Sequence, residues 1–489
     1  MEKLVYTFLA ISLLLFFVFI LLSRSFFGVW LTEIGLLISS LPIAIIITSC
    51  VLISINFDPV NERLNIILLF VCVILNLAIL LRIFIPFFYI RKTNLALQKY
   101  MEKSLGKDYL QYIDPFITSQ HIKNVRFKIR QYFIGIRRRE YSKRIESEKN
   151  IVYREIEGKT LTLNVYYPKK EGIFPTIIFI HGGAFLVGSK NQLKNERLSY
   201  MLADLGYTVF NIDYRLTPLK YLTSKKVNLN EDLIICDMVA DVREAILFAK
   251  KQANKYKNNP MELFLFGRSA GGHLALLTAF SCLGRIYSIE EIRGGIEEYK
   301  ILGVIAFYPV TDFTSLFEYY GRQNLIKFLM SRSVGGDPDN LKFYYQIFSP
   351  ITYVTDKNRS AIPITFLATG GKDRMVVPEQ SRKLYQRLQA LNITSVLLDL
   401  PWANHAFDNI VYGPGGQLVL KYLSQFLVWV ITQNKLHLIE DMAKEHGLGN
   451  IVSKEKSQII QDLRNYEIKD ENDIKEFLKK INKNYNKKD

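Results

Sequence analysis

Three long runs without a charged residue mark the first part of the chain, at residues 4–22, 34–55 and 64–81. Each run is long enough to cross the hydrocarbon core of a bilayer as a helix, which needs roughly 20 residues. A cleaved signal peptide would need a small-residue cleavage site after the first run, where the chain continues with Arg and aromatic residues. The pattern therefore predicts a three-helix transmembrane anchor over residues 1–92.

From residue 151 the pattern changes to short β-rich runs separated by helical repeats. Strand-like runs occupy residues 151–155, 161–167, 176–180, 208–213, 262–266, 364–368 and 395–400, and a helical repeat covers 233–256. Strands that alternate with helices predict a mostly parallel sheet with helices on both faces. We expect this α/β domain over residues 151–434, with a basic juxtamembrane linker at 93–150 and a charged helical appendage at 435–489.

The positive charge of the chain is concentrated directly after the predicted anchor. The sequence has 63 Lys and Arg against 46 Asp and Glu, and residues 91–150 alone hold 15 basic and 6 acidic residues. The positive-inside rule places such a segment on the cytoplasmic side, although Lys3 favours the opposite orientation. We expect the segment to contact anionic membrane lipids or to be a solvated linker. A nucleic-acid surface is the less favoured interpretation, because the segment adjoins a membrane span.

The four cysteines of this 489-residue chain are too few for a disulfide scaffold, and their spacing does not match a metal site. We expect buried, reduced thiols at Cys50, Cys72, Cys236 and Cys282.

One junction between a predicted strand and a predicted helix reads Gly267-Arg268-Ser269-Ala270-Gly271. Strand, tight turn and helix in this order form a nucleophile elbow. Gly267 and Gly271 allow the sharp turn and close helix packing, and Ser269 at the apex has the positive end of the helix beneath it. Ser269 is therefore the candidate nucleophile.

A glycine-rich turn, His181-Gly182-Gly183, follows the strand-like run that ends at residue 180. Enzymes that transfer acyl groups stabilise an oxyanion, and main-chain amides in such a turn can approach it where a side chain would obstruct. The candidate donors are the amides of Gly182 and Gly183, joined by that of Ala270 after the serine. Without the elbow, an ordinary strand-to-helix turn would be the better interpretation.

A serine nucleophile needs a base, and the chain offers six histidines. His405 fits, because it lies in a loop after a late strand-like run and can fold back over the serine. The acid that orients it is Asp373, just past the run 364–368, so that the order along the chain is Ser, Asp, His. Asp399 and Asp408 are rivals, and Asp408 is so close to His405 that we expect it to cap the loop or the next helix.

Together these motifs resemble the α/β-hydrolase superfamily, and within it the esterase and lipase branch of hormone-sensitive lipase and bacterial carboxylesterases. The likeness covers about residues 151–432 and rests on the His181 turn, Asp213-Tyr214-Arg215-Leu216 with Pro218, the elbow, Ser349-Pro350, the Asp373 turn and the His405 loop. The resemblance implies an α/β-hydrolase fold and ester hydrolysis without a cofactor or metal. It also implies a triad and an oxyanion hole at Ser269, His405, Asp373, Gly182, Gly183 and Ala270.

Two residues depart from the pattern of that branch. Ala184 replaces the third glycine that usually follows His-Gly-Gly, which predicts a changed acyl pocket with the amide donor retained. Arg268 stands where Asp or His is common, and predicts a preference for an anionic or phospholipid-like substrate unless it faces solvent or pairs with an acid. Residues 312–350 are rich in aromatics where such enzymes carry a lid, which predicts an apolar substrate pocket or packed lid helices.

The sequence therefore predicts a membrane-anchored serine hydrolase that cleaves apolar or lipid-like carboxylic esters, with its catalytic domain on the cytoplasmic face. The expected partners are a small-molecule or lipid ester and membrane lipids, and no nucleic acid. The same triad could instead transfer acyl groups to another acceptor or cleave peptides, although no propeller-like repeat precedes the domain. A membrane receptor on a hydrolase scaffold is the non-catalytic alternative, disfavoured because all three triad candidates are present.

Overall fold

The computed structural model describes residues 2–18, 40–55, 63–110, 113, 141–156, 158–218, 234–281, 300–320, 325–445, 459, 462 and 471–485. Its strands are β1 (Ile145–Ile156), β2 (Lys159–Pro168), β3 (Phe174–Ile180), β4 (Thr208–Ile212), β5 (Asn258–Arg268), β6 (Ile301–Phe307), β7 (Ile364–Gly370) and β8 (Ser395–Leu400). They form one sheet in the order β1-β2-β4-β3-β5-β6-β7-β8. β2 pairs antiparallel with β1 and β4, and the remaining neighbours run parallel.

The central strands are buried on both faces of the sheet. In β3, Ile178 and Ile180 pack into the core on one face, whereas Ile177 and Phe179 pack into the core on the other. Because successive side chains of a strand point in opposite directions, two covered faces require an unbroken apolar run. The mostly parallel sheet with helices on both faces matches the predicted α/β-hydrolase fold.

The helices that accompany the sheet are α4 (Leu193–Asp204), α5 (Ile234–Lys251), α6 (Ala270–Ser281), α7 (Phe313–Tyr319), α8 (Leu325–Val334), α9 (Pro338–Ile347), α10 (Glu379–Ala390), α11 (Pro414–Glu445) and α12 (Glu471–Tyr485). Short helical turns cover Ala253–Tyr256, Pro350–Tyr353 and Asp356–Ala361. Helices α5 and α6 bury their apolar sides in the core on one face of the sheet, and α4 and α11 do so on the opposite face.

Three further helices precede the sheet: α1 (Glu2–Phe16), α2 (Ser40–Ile55) and α3 (Arg63–Leu105). Among the described residues, α3 is the one helix that is long and apolar enough to cross a membrane. Helices α1 and α2 have 15 and 16 residues, and the rest of the first two predicted spans lies outside the described ranges. Within the described residues the structure thus supports one of the three predicted spans. Helix α1 contacts it where Asn76 Nδ2 donates to Ser12 Oγ at 2.7 Å.

The predicted domain boundaries fall within continuous elements. The boundary at 92/93 lies inside α3, the boundary at 150/151 lies inside β1, and the boundary at 434/435 lies inside α11. Residues 93–105 of the expected linker are therefore the end of a helix that begins in the apolar region. The end of α11 packs with α12 in a small core of its own, which includes Leu436, Ile439, Ile474 and Phe477.

The second half of α3 is docked on the sheet-containing part of the chain. Leu97 and Met101 are buried in the same core as α11. The indole Nε1 of Trp402 donates to Thr93 Oγ1 at 2.9 Å, and the hydroxyl of Tyr422 donates to the carbonyl oxygen of Asn94 at 2.7 Å. These contacts hold α3 beside the loop that follows β8.

The predicted lid region, residues 312–350, contains α7, α8 and α9 and ends where the turn Pro350–Tyr353 begins. About half of its aromatic side chains belong to the core: Phe313, Phe317, Tyr320, Tyr345 and Phe348. Tyr319, Phe328 and Phe343 are exposed. Packed lid helices, one of the two expectations for this region, therefore account for the buried members.

Candidate active site

Ser269 lies at the junction of β5 and α6, where the backbone makes the sharp turn that the sequence predicts. Its φ is +52°, a left-handed conformation that is strained for a residue with a side chain. A Cβ on Gly267 would lie 2.0 Å from the carbonyl oxygen of Gly271, and one on Gly271 would lie 2.2 Å from that of Ile180. Neither position therefore accepts a larger residue. The half-buried Ser269 is fixed by its amide, which donates to Phe307 O at 2.8 Å.

The structure brings Ser269, His405 and Asp373 into one hydrogen-bonded chain. His405 Nε2 is 2.9 Å from Ser269 Oγ, and His405 Nδ1 is 2.6 Å from Asp373 Oδ2. Both distances fit an imidazole whose Nδ1–H donates to the carboxylate while Nε2 accepts from the hydroxyl. His405 and Asp373 are buried, so that water does not compete for these bonds.

Residues of the surrounding loops hold the side chains of Asp373 and His405 in place. The amides of Met375 and Val376 donate to the second oxygen of Asp373, Oδ1, at 2.8 and 2.9 Å. The ring of Tyr308, which follows β6, packs on the imidazole of His405 with centroids 4.5 Å apart. The orientation of both side chains is therefore set before any substrate binds.

The glycine-rich turn lies next to the serine. A Cβ on Gly182 would come within 3.2 Å of Ser269 Cβ, and Gly183 has a φ of +146°. The backbone amides of Gly183 and Ala270 have no backbone acceptor among the described residues. The turn and the start of α6 thus present main-chain donors beside Ser269, which is the arrangement that an oxyanion needs. Ala184, with a φ of +52°, continues the turn.

The side chain and the carbonyl oxygen of His181 stabilise this turn. Its Nδ1–H donates to Gly182 O at 3.0 Å, its ring stacks on Tyr214 at 4.5 Å, and its carbonyl accepts from the Tyr214 hydroxyl. Complete burial lowers the pKa of His181 below its usual value, which keeps the ring neutral. Its contacts are therefore those of a structural residue.

The two rival acids are engaged elsewhere. Asp399 pairs with Arg382 at 2.6 Å, and Asp408 forms a buried ion pair with Arg268. Arg268 therefore does not face solvent, and because it pairs with Asp408 it gives no support to a preference for an anionic or phospholipid-like substrate. Of the three expectations for Arg268, the structure shows the one in which it pairs with an acid.

This ion pair belongs to a polar network that was not predicted from the sequence. Arg268 also donates to Asn195 Oδ1 at 3.2 Å, and the hydroxyl of Tyr308 donates to Asp408. Lys194 lies near the pair, and burial together with the positive charge of Arg268 lowers the pKa of Lys194 to about 8. The sequence signal for this network is the position of its two charged residues. Arg268 immediately precedes the serine, and Asp408 follows His405 by three residues.

No group of three or more His, Cys, Asp or Glu that could hold a metal ion occurs within the residues that the structure covers. Cys50, Cys72 and Cys236 are free thiols, and Cys72 is buried whereas Cys50 is exposed. Cys282 lies outside the described ranges.

The comparisons with known proteins concern the part of the chain that bears this site. Residues 163–388 match the family described as BD-FAE. The match includes Ser269, Asp373 and the glycine-rich turn, and ends before His405. The chain is 28% identical over 242 residues to the probable carboxylic ester hydrolase LipM of Mycobacterium tuberculosis, covering 48% of this chain and 50% of that protein.

Further similar proteins also carry esterase names. Identity is 25% over 244 residues to a probable isoprenylcysteine alpha-carbonyl methylesterase of Arabidopsis thaliana, covering 48% of this chain and 52% of that one. Among solved structures, an inhibited esterase B of Lactobacillus rhamnosis aligns with a TM-score of 0.49 and 22% identity, covering 62% of this chain and 90% of that chain. The chain spans about half the length of the curated relatives it matches.

Proposed function

We propose that this protein is a membrane-anchored serine hydrolase of carboxylic esters, in which Ser269 is the nucleophile, His405 the base and Asp373 the acid that orients the base. The observation that carries the proposal is the hydrogen-bonded chain from buried Asp373 through His405 to half-buried Ser269. The ester hydrolase and esterase names of relatives matched over the same region support this reaction type.

The first half of the reaction forms an acyl-enzyme. His405 Nε2 takes the proton of the Ser269 hydroxyl as Oγ attacks the ester carbonyl carbon, and the carbonyl oxygen becomes an oxyanion. The amides of Gly182, Gly183 and Ala270 donate to that oxyanion. The tetrahedral intermediate then collapses, the bond to the alcohol oxygen breaks, and His405 returns the proton to the leaving alkoxide.

The second half releases the acid. His405 takes a proton from a water molecule that attacks the acyl carbon, and the resulting intermediate expels Ser269 Oγ, which recovers its proton from the imidazole. Asp373 stays ionised throughout and stabilises the imidazolium that forms twice in the cycle.

The membrane anchor is part of the proposal. The apolar runs at residues 4–22, 34–55 and 64–81 would form it, ahead of the catalytic region at 151–434 and the appendage at 435–489. The basic residues that follow the last run favour a cytoplasmic catalytic region. An anchor of this kind favours substrates that partition into the bilayer, and one relative is named a probable isoprenylcysteine alpha-carbonyl methylesterase.

The first test is hydrolysis of p-nitrophenyl esters from acetyl to long acyl chains by the detergent-solubilised protein. We expect the Ser269→Ala variant to lose activity by about three orders of magnitude or more. A fluorophosphonate probe should label the parent chain and not the variant. Near-normal hydrolysis by the variant would exclude the proposed nucleophile, and a preference for long chains would support a lipid ester.

A further inference from the structure

The His405 loop, residues 401–413 between β8 and α11, contains a strained turn directly after His405. Ala406 has a φ of +57°, a left-handed conformation that is unfavourable for a residue with a side chain. Such a turn persists only where the surrounding structure holds it. Hydrogen bonds inside the loop, such as Asn409 N to Ala406 O at 2.9 Å, are local turns. Contacts from other elements are therefore needed to keep the loop in place.

The elements that carry the serine and the acid hold one side of the loop. Asp408 pairs with Arg268 at the end of β5. The amide of Lys372, next to Asp373, donates to the carbonyl oxygen of Ala403 at 2.9 Å. These contacts connect the loop to its two partners in the triad.

Helix α3 holds the start of the loop. The indole Nε1 of Trp402, three residues before His405, donates to Thr93 Oγ1 at 2.9 Å. Both side chains are buried, so that loss of the acceptor would leave the indole N–H without a partner. Trp402 also belongs to the core that contains Leu97 of α3.

The apolar part of α3 reaches the loop at a second position. Ile410, five residues after His405, packs against Ile79 and Ile83 of α3 in a cluster that includes Leu15 of α1. Helix α3 therefore contacts the loop both before and after the base.

Helix α3 also fixes α11, which follows the loop. The hydroxyl of Tyr422 on α11 donates to the carbonyl oxygen of Asn94 at 2.7 Å, and Lys421 Nζ donates to Asn94 Oδ1 at 3.0 Å. Thr93 and Asn94 are adjacent in one helix. These two residues thus connect the start of the loop and the helix after it to the same rigid element.

We propose that helix α3 positions the catalytic base, with Thr93 and Trp402 as positioning residues for His405 and Ile410 as a second point of contact. The proposal rests on the proposed function, in which His405 takes and returns the proton of Ser269. A displacement of about 1 Å in a catalytic group can lower turnover by about a hundredfold. The helix that leads out of the apolar region is then part of the catalytic machinery, and not only a tether.

The first test is hydrolysis of p-nitrophenyl esters by the full chain in detergent with the change Thr93→Val. Valine has the shape of threonine but offers no acceptor to the indole of Trp402. We expect kcat to fall by about tenfold or more and KM to change by less than about twofold, because the base is displaced while the ester-binding surface is untouched. Thr93→Ser keeps the hydroxyl and should retain most of the kcat.

The matched control is Thr432→Val on α11. Thr432 is also a buried threonine, and its hydroxyl has no hydrogen-bond partner within the part of the chain that the structure describes. We expect kcat to be unchanged in this variant. A parental kcat in Thr93→Val, a loss in Thr93→Ser as large as in Thr93→Val, or an equal loss in Thr432→Val would each overturn the proposal.

A second pair of variants distinguishes positioning from a general loss of stability. Ile410→Ala removes the other contact with α3 and should also lower kcat more than it changes KM. Leu436→Ala removes a buried side chain from the small core of α11 and α12, far along the chain from the loop. It should lower the melting temperature and leave kcat unchanged below that temperature. Equal kcat losses in the two variants would overturn the proposal, and this pair decides if Thr93→Val does not fold.

Hydrogen exchange separates the proposal from the proposed reaction, because it does not require turnover. In peptides that cover residues 401–413, we expect exchange about tenfold or more faster in Thr93→Val than in the parent chain. Ser269→Ala should exchange like the parent. Faster exchange in a protein that hydrolyses no ester would contradict only the proposed reaction. Ester hydrolysis with parental exchange and parental kcat in Thr93→Val would contradict only the positioning role of α3.

Discussion

At the scale of single residues, Gly183 is the position in the turn beside Ser269 that least tolerates a side chain. Its φ of +146° is rare for residues with a side chain, and an added Cβ would lie 1.6 Å from the carbonyl oxygen of Val187. We expect Gly183→Ala to displace the turn, lower the free energy of unfolding by about 3 kcal/mol or more, and abolish hydrolysis. Thermal unfolding and ester hydrolysis measure both effects.

The control for this prediction is Gly158→Ala. Gly158 also has a positive φ, +73°, but nothing lies within 4 Å of an added Cβ. Its replacement should cost about 1–2 kcal/mol through the backbone alone and leave hydrolysis intact. Equal losses in the two variants would show that backbone strain, and not the close approach to Val187, decides the effect.

His273 makes stability depend on pH. Its Nδ1–H donates to Val310 O at 3.0 Å, and complete burial lowers its pKa from 6.5 to about 4. Between pH 6.5 and 4 the unfolded chain binds a proton here that the folded chain does not. The contribution of His273 to stability is therefore present above pH 6.5 and is lost as the pH falls to 4, by up to about 3 kcal/mol.

This dependence is tested by comparing the parent chain with His273→Gln, which retains a donor but does not titrate. The melting temperatures of both are followed from pH 7 to 4.5. We expect the variant to be less stable at pH 7 and to lose less of its stability on acidification. Parallel curves would exclude His273 as a source of acid sensitivity.

The sequence predicted which side chains come together at Ser269 better than it predicted the partners of the neighbouring charged residues. Ser269 is recognisable because the two close approaches at Gly267 and Gly271 leave a local glycine pattern. The choice among the acids depends on Arg382 and Arg268, which lie far from Asp399 and Asp408 in the chain. Such pairings leave no local pattern, and so the sequence left three expectations open for Arg268 and did not identify Asp408 as its partner.

At the scale of elements, the ion pair of Arg268 and Asp408 joins the end of β5 to the loop that carries His405. Both side chains are buried, and Asp408 also accepts from Tyr308, which packs on the imidazole. We expect Asp408→Asn to leave the charge of Arg268 uncompensated, at a cost of about 3–5 kcal/mol. Hydrolysis should show a lower kcat with a smaller change in KM, because the loop that places His405 shifts.

Two comparisons check this interpretation. Asp204→Asn breaks the exposed pair with Arg144, which is 2.6 Å long, and should cost at most about 1 kcal/mol. The double variant Arg268→Met/Asp408→Asn should be more stable than Asp408→Asn alone, since neither charge is then left buried without a partner. Additive losses in the double variant would show that the two residues do not act as a pair.

The elements differ in how far the sequence determines them. Strands β3, β5, β7 and β8 lie close to the runs predicted for them, because burial on both faces demands an uninterrupted apolar composition, whereas no run was predicted for β6. In the structure, the helix predicted at 233–256 is divided into α5 and a separate helical turn at Ala253–Tyr256. Helix α3 extends well past its apolar part, because Leu97 and Met101 pack into a core that they share with the sheet and α11, a tertiary contact that hydropathy does not record.

At the scale of the whole molecule, the charge distribution makes a prediction about sidedness. Protease added to sealed right-side-out vesicles should leave residues 151–489 intact, and disruption of the vesicles should expose them to cleavage, because the basic segment after α3 favours the cytoplasmic side. Extraction with carbonate should leave the protein in the membrane pellet. Digestion of residues 151–489 in intact vesicles would reverse the predicted orientation.

Because α3 is one continuous helix, it also fixes the distance between the residues along it that contact the Asp373 and His405 loops. Arg82 borders the loop that carries Asp373, and Thr93 accepts from Trp402 in the loop that carries His405. These two positions are separated by eleven residues, or about 16 Å along a helix. In a bilayer, the loops that carry Asp373 and His405 would therefore stay within about 16 Å of the level of Arg82. A substrate would be selected first by the depth at which its ester bond lies, and only afterwards by the shape of its acyl chain.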